Sequence, residues 1–139
     1  MTPTETISIS QVAALLAHNG YDVSQDANGV LRVSDVHSGV SFQAALEGSI
    51  LFMTANLTTV PTTQITPEIM HKMLSGSNGI STSSFRLLEN DGKTTITLNN
   101  FCTLQDMSPE DHDDILSLAG YILVDIIAAR DLLQPAAAA

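Results

Sequence analysis

Ser108 to Leu133 reads SPEDHDDILSLAGYILVDIIAARDLL, and its two halves pose different questions. In the second half the apolar residues return at helical spacing, with Ile115, Leu118, Ala119, Ile122, Ile126, Ala129 and Leu133 on one face. A helix from Pro109 to about Leu133, at ~1.5 Å per residue, spans roughly 40 Å and outruns a small domain. Leu116, Leu123 and Ile127, with small Gly120 between them, form a further apolar stripe beyond what a helix lying on one sheet needs. Two readings account for that width: a helix buried on most sides, or a contact with a second copy of the chain. Leu116, Gly120, Leu123 and Ile127 are therefore the candidate partner or dimer surface.

The first half sets His112 among four carboxylates within seven residues. Two helix residues that share a metal lie three or four positions apart, and from His112 those neighbours are Ser108, Pro109, Ile115 and Leu116, none a good ligand. Glu110, Asp113 and Asp114 do share a face, but as like charges in solvent they hold a hard cation weakly. A hydroxyl residue, then proline, then acids is how a helix starts: Ser108 sits at the cap, Pro109 where its missing N–H costs nothing, and the carboxylates interact favourably with the helix dipole.

The same device opens two earlier helices. Ser8 with Gln11 has capping-box spacing, runs through Val12, Leu15 and Leu16, and stops at Asn19-Gly20. Thr66-Pro67-Glu68 leads through Ile69, Met70, Met73 and Leu74 to Gly76. Between them the pattern turns to period two with turn punctuation, giving strands at Val30 to Ser34, Val40 to Leu46 and Ile50 to Leu57, with Tyr21 to Gln25 a shorter candidate. Thr58 to Thr66, poor in apolar residues and holding Pro61, is expected to be a connection. Phe85 to Glu89 and Thr94 to Leu98 flank Asn90-Asp91-Gly92-Lys93, a hairpin signal. The fold class is α+β, an antiparallel sheet with helices in the order α-β-β-β-α-β-β-α, with room for a fourth strand in the first group. One domain over residues 1–139 is expected, ordered from about 6 to 134 with a frayed tail at 135–139.

Composition narrows the function. Apolar residues make up 44% and aromatic residues 4%, so the core is aliphatic and short of the platforms that stack bases or sugars. Fifteen acidic residues against five basic ones leave a net charge of −10, which repels nucleic acid and anionic membrane surfaces and favours basic or neutral protein segments. A single cysteine, Cys102, allows no intrachain disulfide and no CxxC zinc site, and a packed thiol is expected. MTPTETISIS reads as no secretion signal, and the apolar run Ile115 to Val124 ends at Asp125, short of a bilayer span, so a cytoplasmic location is expected. Asp26-Ala27-Asn28-Gly29 places its glycine too early for a calcium loop and reads as a turn. His18, His37 and His71 have no metal spacing and read as surface residues. There is no GxGxxG, GxxxxGK[ST] or GxSxG. No catalytic, cofactor or metal residue is expected, and no cofactor.

With this element order the chain resembles the YbjN-like family, the bacterial sensory transduction regulators whose fold is shared with type III secretion chaperones. The resemblance lies in the first helix ending NGY, in FQAALEG turning into ILFMTANL and then a proline, in SSFRLLEND leading to TTITLNN, and in DMSPEDHDDILSLAGYILVDIIAARDLL. It implies a chaperone-like α/β sandwich, a homodimer and no enzymatic activity. It carries over no individual functional residue. The first functional reading is a non-catalytic protein-binding module, a chaperone-like or regulatory adaptor acting as a homodimer on a protein client or regulatory partner. The alternative is a small-molecule or ion sensor with a pocket between the sheet and the C-terminal helix. A hydrolase or metal enzyme at Asp111 to Asp114 is the third.

Overall fold

The structure, a computed structural model, describes residues 7–137, with side chains as far as 134. Its elements are α1 (Ile9–His18), β1 (Tyr21–Gln25), β2 (Leu31–Asp35), β3 (Ser41–Glu47), β4 (Ile50–Pro61), a 3-10 turn (Thr62–Gln64), α2 (Pro67–Leu74), β5 (Ser84–Asn90), β6 (Lys93–Thr103) and α3 (Pro109–Ala137). The strands form one six-stranded antiparallel sheet in the order β1-β2-β3-β4-β6-β5. The α+β class and element order expected from the sequence hold, and Tyr21–Gln25 supplies the fourth strand of the first group.

The local signals work as their chemistry requires. At α1 the Ser8 hydroxyl accepts from the Gln11 N–H at 3.3 Å, while the Gln11 side chain accepts from the Ser8 N–H at 2.9 Å, a complete capping box. At α2 the Thr66 hydroxyl accepts from the Ile69 N–H at 3.2 Å, with proline in the first turn. Asp26 turns the first hairpin by accepting the N–H groups of Asn28 and Val30 at 2.8 and 3.0 Å. Between β5 and β6, Asp91 and Gly92 both have positive φ, 52° and 76°, the backbone that a tight two-residue hairpin turn needs.

One boundary differs from expectation. Thr58 to Pro61 is strand, the end of β4, rather than connection. Threonine is β-branched and suits a strand without being apolar. Here it also pairs across to β6: the Thr59 and Thr95 hydroxyls lie 2.8 Å apart, those of Thr62 and Thr94 2.9 Å, and Val60 is buried. The last helix runs past Leu133 to Ala137. The frayed tail expected at 135–139 lies outside the residues whose side chains are described.

The chain forms two compact units. The first comprises the described residues up to Met53 together with Phe101–Gly120. In it α1 packs on β1 and β2, burying Val12 and Leu16. The register pairs Leu31 with Ala44 and Val33 with Phe42, all four buried, so these side chains share one face of the sheet. Arg32 and Gln43, paired between them, are exposed. The second comprises Thr54–Asn100 and the described residues from Tyr121 on. Its core joins Met73 of α2, Ile96 of β6 and Leu133 of α3, with Leu57, Ile69 and Phe85 packed around them.

Candidate functional site

The density of ionisable groups at the start of α3 resolves into a structural device. Asp111 is buried, and its Oδ2 accepts three successive backbone N–H groups, from Gln105, Asp106 and Met107, at 2.8, 2.9 and 2.8 Å. Burial pushes its carboxyl up, but the three N–H donors, with help from nearby His112, outweigh burial and hold it below the usual carboxylate range. Ser108 enters the helix with its own N–H donated to Asp106 Oδ1 at 3.0 Å and its carbonyl accepting from the His112 N–H at 3.0 Å. Met107 takes a positive φ of 56° in this turn. One oxygen of the carboxylate at the heart of the acidic cluster is thus taken up by backbone N–H groups of the preceding loop.

Asp125 on α3 is a second such anchor. It is buried, and it holds the loop between α2 and β5: Oδ1 accepts the N–H and hydroxyl of Ser81, both at 2.8 Å, and Oδ2 accepts the N–H groups of Thr82 and Ser83 at 3.3 and 3.1 Å. Burial raises its carboxyl, and the donors of Ser81 and Ser83 more than reverse that. Sequence reading met Asp125 only as the end of an apolar run. Its position among Ile122, Ile126 and Ala129 was the available signal, because a carboxylate on a buried face demands donors.

Among the described residues no three His, Cys, Asp or Glu side chains come together to hold a metal ion. His18 and His112 share a shallow groove with Ala14, Leu15 and Met107, and His37 and His71 are exposed. The Cys102 thiol is half-buried; burial, then the charges of Asp114 and Asp111, pushes it up to about 11, which leaves it protonated and a poor nucleophile. Among the described residues no helix is long and apolar enough to cross a membrane.

The four residues expected to form a partner surface have one position in common: none is buried. Leu116, Gly120 and Leu123 are partly accessible and Ile127 is 48% exposed. Beside them the second half of α3 exposes Tyr121 at 50% and Val124 at 62%, which sequence reading left out. The space next to Gly120 is open, since a Cβ added there meets no atom within 4 Å. The residues facing the core, Ile122, Ile126 and Ala129, are fully buried, so α3 is apolar on two sides and covered on one.

The first unit adds a feature that no linear reading gives. Asp22, Asp26, Asp35 and Glu47 come from its first segment and Asp106, Glu110, Asp111, Asp113 and Asp114 from its second, against Arg32 as its one lysine or arginine. The other four cations, Lys72, Arg86, Lys93 and Arg130, belong to the second unit. The same first unit also places two phenylalanines together, Phe52 of β4 and Phe101 of β6, with ring centroids 6.1 Å apart and planes tilted by 41°.

Comparison with known proteins places the fold. Among solved structures the chain is similar to the crystal structure of YbjN from E. coli, described as a "putative transcription regulator", with a TM-score of 0.64 over 94% of this chain and 97% of that one. The fold is YbjN-like. Sequence identity with YbjN is 12%, so the likeness is one of fold. Protein-family sequence models give no match to the chain, and a search of curated proteins gives none either. The YbjN-like fold agrees with the resemblance seen in the order of helices and strands.

Proposed function

We propose that the protein is a non-catalytic protein-binding module, a chaperone-like or regulatory adaptor, that works as a homodimer through the outer side of α3. The observation that carries this reading is the exposed apolar face of α3 at Tyr121, Val124 and Ile127, on the helix side away from its buried residues. Fully burying one aliphatic side chain is worth about 1.5–3 kcal/mol. A second copy of the chain, set against Leu116, Gly120, Leu123 and Ile127, gains that stabilisation, and the open space at Gly120 lets a neighbouring helix approach closely. The likeness to a protein described as a regulator agrees with an adaptor role.

Light scattering across a concentration series tests it. The wild type is expected to be a dimer and Val124→Glu a monomer with unchanged far-ultraviolet circular dichroism. A wild type that stays monomeric throughout the series refutes the dimer.

A second reading has a specific observation of its own. Leu57 and Thr58 of β4 and Arg130, Asp131, Leu133 and Gln134 of α3 line a cleft of about 300 Å³, a size suited to a small ligand. A ligand-sensing domain predicts stabilisation in a thermal-shift screen of metabolites and divalent ions, reduced by Arg130→Ala.

A further inference from the structure

The first unit joins an exposed aromatic pair to a strong negative charge. Leu51 and Met53 of β4 are fully buried, so Phe52 between them points to the opposite face. There it meets Phe101, which is 62% exposed, in a chain that has only four phenylalanines. Ile50, two residues along the same side of β4, is also partly accessible. The turn after β3, which follows exposed Glu47, is tied to the end of β6 by the bond from the Leu104 N–H to the Ser49 carbonyl at 2.7 Å. Phe42 and Ala44 of β3 are buried, so by alternation exposed Glu47 lies on this outer face too, and exposed Asp106 follows shortly after the end of β6.

We propose that this acidic unit binds a basic segment of a partner protein on its outer sheet face at Phe52 and Phe101. The rings take an apolar or guanidinium-bearing side chain, and carboxylates of the unit, Glu47 among them, hold the cations. Charge selects the occupant. Nine carboxylates against Arg32 repel phosphate-bearing and acidic partners, and aromatic faces attract cations through their quadrupole. This inference rests on the protein-binding reading above and gives the partner its chemistry.

The test is fluorescence anisotropy with a short labelled peptide that alternates arginine with valine, beside a counterpart with glutamate in place of arginine. The arginine peptide is expected to bind, to weaken as salt rises to about 0.3 M, and to lose about tenfold in affinity on Phe101→Ser or Phe52→Ser. Leu88→Ser, at an exposed position of the second unit, is expected to leave binding unchanged. Phe101 is exposed, so its variant tests the surface even if Phe52→Ser perturbs the fold. No binding of the arginine peptide, equal binding of the glutamate peptide, or full affinity in Phe101→Ser overturns the proposal. Light scattering on the same samples separates the two ideas. A dimer that ignores the arginine peptide removes this inference alone, and a monomer that binds it removes the α3 dimer alone.

Discussion

The two units use one stabilising device on different scales. In the first, Asp111 gathers three N–H groups from residues four to six positions earlier in the chain, so it fixes a local turn. In the second, Asp125 gathers its donors from residues 42 to 44 positions away, so it ties a distant loop to α3. Either way a buried acid is tolerable only because the backbone supplies its solvation. Their charge differs more sharply. Nearly all the net negative charge belongs to the first unit, whereas Lys72, Arg86, Lys93 and Arg130 almost balance the acids of the second. The net charge of −10 is therefore a property of the first unit far more than of the second.

Breaking the anchors tests the contrast in scale. Asp125→Asn leaves donors facing donors inside a buried site and releases a long-range tie, so urea denaturation is expected to show a loss of about 3 kcal/mol. Asp111→Asn disturbs a local turn and is expected to lose less, about 1–2 kcal/mol. Equal losses would mean that distance along the chain is irrelevant to this device.

Acid sharpens the same comparison. Both carboxyls lie below their ordinary range in the folded protein, so their contribution is complete above the unfolded aspartate value of about 4. It is lost as pH falls through the depressed folded values, because the unfolded chain then binds the protons first. The stability gap between wild type and Asp125→Asn should accordingly narrow below about pH 4 in a series of urea melts. The smallest effect is expected from Ser8→Ala, about 1 kcal/mol, which removes half of the α1 capping box and touches neither anchor.

Much of the fold was legible because its signals are local. Ser8 with Gln11, Thr66 with Pro67, and Asp91-Gly92 each specify their structure within four residues, and each acts as its chemistry suggests. Thr58 to Thr66 misled because apolar content stood in for strand propensity, and the threonines there satisfy themselves by pairing with Thr94 and Thr95. The anchors were half legible. SPEDHDD could be read as a helix start from its order alone, but the donors of Asp111 lie upstream in Gln105 to Met107, where no side chain advertises them. The donors of Asp125 are mostly backbone groups of a serine-rich loop far away in sequence. The meeting of Phe52 with Phe101 depends on strand pairing between segments some fifty residues apart, which periodicity does not encode.

The surroundings of Cys102 bear on its reactivity towards oxidants. With its thiol pushed up to about 11, about one molecule in ten thousand carries the reactive thiolate at pH 7. Peroxide and disulfide exchange both proceed through that anion. The surroundings of the one cysteine thus disfavour the form that oxidants attack.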